Sequence, residues 1–106
     1  MARVNEQIQL AELIAKQLPE VTRNEWMRWM QIANQRGLDY AIHYAEKLAT
    51  NPTVRPAIQR ANRLIAKAIR SHQHTLKCLN PKDQATVFGY VSWLLKIDTL
   101  RGILRV

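Results

Sequence analysis

Apolar side chains recur three and four residues apart along this chain, and no stretch alternates apolar with polar at a spacing of two. That period puts them on one side of a helix, so the chain reads as helical throughout. The first helix is expected from Val4 to Leu18, with Val4, Ile8, Ala11, Ala15 and Leu18 on one stripe and Leu10 and Ile14 widening it. Pro19 stops it, because proline lacks the N–H the next turn would need. Thr22-Arg23-Asn24-Glu25 has the form of a capping box, in which Thr22 caps a backbone N–H and Glu25 reaches back. It opens a second helix with Trp26, Trp29, Met30 and Ala33 on its apolar face, and Gly37 stands where a left-handed residue would end it. A third helix, Leu38 to Ala49, presents Leu38, Ala41, Ala45 and Leu48 before Thr50-Asn51-Pro52-Thr53 breaks the chain.

The fourth helix is expected to run unbroken from Pro56 to Leu76, with proline in the first turn, where it is tolerated. Its core face reads Ile58, Ala61, Leu64, Ile65, Ala68 and Ile69. Asn80-Pro81-Lys82-Asp83 opens the fifth: an N-cap, a proline at the first helical position and an acid in the positive first turn. That helix carries Ala85, Phe88, Val91, Trp93, Leu94, Leu95 and Ile97, and the tail from Thr99 to Val106 either prolongs it or packs separately. Trp26, Trp29, Trp93 and Phe88 are all assigned to the core. Short connections favour antiparallel neighbours. The expected architecture is all-α, a compact bundle of about five antiparallel helices forming a single domain over residues 1–106.

Composition narrows the setting. An apolar fraction of 47% with no low-complexity tract argues against disorder. No apolar run is long enough to span a bilayer, and Met1-Ala2-Arg3-Val4-Asn5-Glu6 lacks the apolar core of a signal peptide. The lone Cys78 excludes an internal disulfide and suits a reducing compartment, so the expected location is cytoplasmic, with no membrane partner.

Charge changes the picture most. The net charge is +8, and eight Lys or Arg residues lie between Lys47 and Lys82 without one Asp or Glu. Elsewhere eight basic and eight acidic residues cancel, so the excess sits in one contiguous third. On a helix, Arg60, Lys67, His74, Arg63 and Arg70 share an arc of roughly 80° over a length of about 21 Å. Like-charge neighbours at i, i+3 and i, i+4 destabilise a free helix, whereas a face that meets phosphates recovers that cost on binding. Arginine outnumbers lysine in the stripe, which suits two-pronged phosphate contacts. Arg55, Lys77 and Lys82 lie at the helix ends and extend the footprint, and His72 and Gln59 add neutral donors. The candidate nucleic-acid-binding residues are therefore Arg55, Arg60, Arg63, Lys67, Arg70, His74, Lys77 and Lys82, against the plainer reading of a solvated basic face.

Other chemistry is thinly supplied. His74 and Cys78 stand at i, i+4, but zinc needs three or four ligands, and the only other candidate, His43, lies on a different helix. Cys78 has no nucleophile signature around it and reads as a small buried apolar filler. The eight carboxylates form no evident pair, and three isolated glycines make no phosphate cradle. No enzyme, cofactor or metal is expected. Tyr40, Tyr44 and Tyr90 offer base stacking as a lesser alternative to packing at helix seams. A helix-turn-helix over Arg36-Gly37-Leu38 would read bases with Asp39, Tyr40, His43, Glu46 and Lys47, and its two acids oppose the phosphates beside the groove.

Arg36-Gly37-Leu38 followed by Ala41-Ile42 and Tyr44 is similar to the glycine-leucine helix start of the type III small subunits of class 1 CRISPR effector complexes. The closing helix Phe88-Gly89-Tyr90-Val91-Ser92-Trp93-Leu94-Leu95-Lys96 resembles their last helix. That resemblance implies a non-catalytic ribonucleoprotein subunit, present in several copies beside other subunits, with its basic face on target strand, guide–target duplex or displaced DNA. The competing expectations are an adaptor docking on an acidic protein and a stand-alone DNA-binding regulator.

Overall fold

The computed structural model describes the backbone of residues 4–104 and the side chains of residues 5–97. Among them are six helices, α1 Val4–Lys16, α2 Arg23–Arg36, α3 Leu38–Thr50, α4 Pro56–Ser71, α5 Gln73–Lys77 and α6 Pro81–Leu104, and no strand. The expected core position Val4 and the side chains of the tail from Thr99 lie outside the described side chains. The backbone of α6 continues to Leu104, so the tail prolongs that helix at least over Thr99 to Leu104, and its last two residues lie outside the described backbone.

The punctuation acts as its chemistry requires. Thr22 Oγ1 accepts the Glu25 N–H at 3.2 Å and Glu25 Oε2 accepts the Thr22 N–H at 3.3 Å, closing the capping box of α2. Gly37 alone separates α2 from α3, at φ 93° and ψ 165°, a backbone region essentially closed to residues with a Cβ. Asn80 Oδ1 accepts the Asp83 N–H at 2.8 Å and caps α6.

One expected helix is divided. Ser71 Oγ donates to the Lys67 carbonyl at 2.9 Å, a back-bond that loosens the helical ladder. The His72 N–H then reaches the Ile69 carbonyl, and α4 ends with His72 at φ −116° and ψ 12°. Ser, His and Thr are weak helix formers, and Ser71, His72, His74 and Thr75 crowd this spot. The short α5 follows and delivers Leu76 to the core.

Helix α2 is the hub. Its Trp26 and Trp29 are fully buried with their rings 5.0 Å apart, and Phe88 of α6 meets both edge-on at 5.9 and 5.1 Å. Trp26 Nε1–H donates to the Phe88 carbonyl at 3.0 Å, and Trp29 Nε1–H donates to the Ala41 carbonyl of α3 at 2.9 Å. Each buried indole thus satisfies its one donor while tying α2 to a different neighbour. The α3–α4 pair packs closely through Ala41, Ala45, Ala61, Ala68, Ile65 and Ile69, and α1 packs chiefly on α6 rather than on its chain neighbour α2. The two pairs meet mainly through α2. The dimensions, 41 × 36 × 21 Å, make a slab about two helix diameters thick.

Two expected core residues are not there. Trp93 is 60% exposed: it stands two residues from the buried Val91, about 200° around the helix. Cys78 is exposed, because the flanking Leu76 and Leu79 take the inward positions. No described helix is long and apolar enough to cross a membrane.

Candidate nucleic-acid interface

Four of the five longer helices carry an acid in the first turn: Glu6, Glu25, Asp39 and Asp83. Helix α4 carries none, and Arg55 occupies its N-cap. The positive end of the helix dipole disfavours a cation there and favours an incoming anion. From that end Arg55, Arg60, Arg63, Lys67 and Arg70 follow, all exposed, above a buried face of Ala61, Ile65, Ala68 and Ile69. Ile58 and Leu64, both expected in the core, are half-buried at its edge. From Arg60 to Arg70 the row is about 15 Å long, enough for more than one phosphate of a strand.

The wall opposite is α3. Arg63, Lys67 and Arg70 line a shallow groove of about 340 Å³ with Glu46 and Thr50, and Ala49 and Ala66 form its floor. Small floor residues let the two helices approach and bring the α4 cations beside α3. Arg63 donates weakly to the Ala49 carbonyl at 3.4 Å, at the C-terminal end of α3. A second hollow adjoins, lined by Tyr40, His43, Tyr44, Lys47 and the shared Glu46 and Thr50. The Arg36 guanidinium lies 5.2 Å from the Tyr40 ring centre, covering one of that ring's faces.

The stripe is not uniformly free. Glu46 takes Arg70 in a fork, Nε to Oε2 at 3.1 Å and Nη2 to Oε1 at 2.8 Å, and Arg70 Nη1 also reaches Gln73 Oε1 at 3.4 Å. The hydrogen bonds from Arg70 hold the Glu46 carboxyl below the usual carboxylate range, and the same contacts raise Arg70. Lys77 Nζ lies 3.4 Å from Asp39 Oδ1. Among the described residues Arg55, Arg60, Arg63, Lys67 and Lys82 have no carboxylate within ion-pair distance.

Three corrections to the expected site follow. His74 does not continue the row, because α4 ends before it and His74 rides on α5. Lys77 and Lys82 line a different groove, with Asn34, Gly37 and Asp39, that no α4 residue reaches. Arg70 is present but already engaged. The structure therefore gathers Arg63, Lys67 and Arg70 in one groove, continues their arc along α4 to Arg60, and leaves Arg55 at the N-cap and His74, Lys77 and Lys82 apart. Glu46 is the participant that local spacing missed. It stands one position before the acid-free run and 24 residues from its partner.

Among the described residues no group of three His, Cys, Asp or Glu side chains could hold a metal ion. No protein-family model, curated protein or solved structure matches this chain.

Proposed function

We propose that this chain is a non-catalytic subunit of a nucleic-acid-guided complex of the CRISPR ribonucleoprotein kind, and that it grips a nucleic-acid backbone along α4. One observation carries the reading: Arg60, Arg63 and Lys67 lie exposed on one arc of α4, with Arg55 exposed at its N-cap, and among the described residues none of the four has a carboxylate within ion-pair distance. Their mutual repulsion, and a cation at the helix N-cap, serve nothing in the free fold and are relieved by phosphates. The adjoining hollow beside His43 and Tyr44 gives unpaired bases a place next to those phosphates, so a single strand is the favoured ligand. The resemblance to CRISPR small subunits supplies the setting, with several copies beside other protein subunits and no chemistry of its own.

A second reading has its own support. Glu46 already pairs with Arg70, so the α4 groove accepts a carboxylate, as an adaptor docking on an acidic protein would. Fluorescence anisotropy with a labelled single strand, a labelled duplex and polyglutamate separates the two. The nucleic-acid reading expects the single strand to bind and polyglutamate of equal charge to compete poorly. Equal competition by polyglutamate would favour the adaptor.

A further inference from the structure

Helix α6 is apolar on more than its core side. Val87, Phe88, Val91 and Leu95 are buried, while Tyr90, Leu94 and Ile97 on the other side are only half-covered and Trp93 projects into solvent. Trp93, Tyr90 and Leu94 join Thr86, Gly89 and Ile8 of α1 in lining an apolar groove of about 640 Å³. A helix apolar all round is ordinarily buried all round.

Two residues of this face work against the isolated chain. Trp93 leaves the largest side-chain type in water, 60% exposed. Gly89 sits in the interior of a 24-residue helix, where glycine is the poorest choice after proline. The fold does not require it: its φ is not positive, and a Cβ built there would meet nothing within 4 Å. The two lie one helical turn apart and about 40° around the axis, so a knob and a notch share one surface.

We propose that this face pairs two copies of the chain about a two-fold axis, with the two α6 helices antiparallel and Trp93 of each copy seated over Gly89 of the other. A two-fold contact uses the same patch on both copies, so it must carry knob and notch together, as this one does. The charges permit the approach. Over residues 5–18 and 81–97, Lys16, Lys82 and Lys96 balance Glu6, Glu12 and Asp83, although the whole chain carries +8. Those stretches therefore bring no net charge to the contact, unlike the α4 side. The pairing uses none of the α4 cations and stands whether or not α4 binds a strand.

The test is sedimentation equilibrium of the nuclease-treated chain at high salt over a concentration series, with acrylamide quenching measured on the same samples. Trp26 and Trp29 are buried, so quenching reports mainly on Trp93. The mass should rise from 12.3 kDa to twice that value as quenching falls. Gly89→Gln fills the notch and Trp93→Gln removes the knob. Each should stay at the monomer mass with an unchanged helical circular dichroism spectrum. At dilutions where the parent is monomeric, Gly89→Gln should also melt no lower than the parent, since it exchanges glycine for a better helix former in open space. A parent that stays monomeric with Trp93 fully quenchable overturns the proposal. So does association that survives both substitutions, or that grows past the dimer into open polymers.

Discussion

Glu46 decides how much of the cationic row is free. Its forked hold on Arg70 occupies two donors of that guanidinium, and a phosphate forking onto the same two must displace it. Glu46→Gln should therefore tighten single-strand binding and steepen its salt dependence by about 0.7 in the slope of log affinity against log salt, the share of one further phosphate. The pH dependence follows the same pair. A carboxyl held below its unfolded value adds stability that is present above that value and lost as pH falls through the folded one. Acid titration of the melting temperature should show the parent losing this contribution below the ordinary carboxylate range and Glu46→Gln lacking it. The basic run was legible in the sequence because charge sign can be counted along a chain. Its counter-ion was not, because a partner 24 residues distant is set by how α3 lies against α4.

At the scale of elements, the joints carry the information. Gly37→Ala should cost about 1 to 3 kcal/mol by thermal or denaturant unfolding, since φ 93° with ψ 165° strains any residue bearing a Cβ. The space around it is open, so backbone strain alone would be measured, and a neutral result would contradict that geometry. Removing the α2 cap with Thr22→Ala should cost about 1 kcal/mol. Both joints were readable from residue type, as were the Asn80 cap of α6 and the first residues Leu38, Pro56 and Pro81 of α3, α4 and α6. The break at His72 was less so: four weak helix formers in five positions were a signal, but the apolar period ran straight through them to Leu76. Trp93 was misplaced because eight of the eleven positions of α6 from Val87 to Ile97 are apolar, leaving no continuous polar face to orient the helix. The spacing of two between Val91 and Trp93 was the available clue, since such positions cannot share a side.

Over the whole molecule, α2 joins a basic half to a neutral one. The α3–α4 pair carries the cationic groove, the α1–α6 pair carries the apolar one, and the buried indoles of α2 bond into both. Trp26→Ala should cost about 3 to 5 kcal/mol and bring down the entire fold, not one half of it. The central claim concerns the basic half, and salt dependence tests it most directly. Binding of a single strand would be followed across a salt series for the parent, for Arg63→Glu with Lys67→Glu, and for Lys16→Glu with Arg28→Glu. The last pair alters net charge equally at exposed positions outside the groove. If α4 meets phosphates, the groove variant should flatten the slope of log affinity against log salt by about 1.4, the share of two phosphates of a single strand, while the control stays near the parent slope. Equal flattening in both variants, or an unchanged slope in the groove variant, would contradict the account.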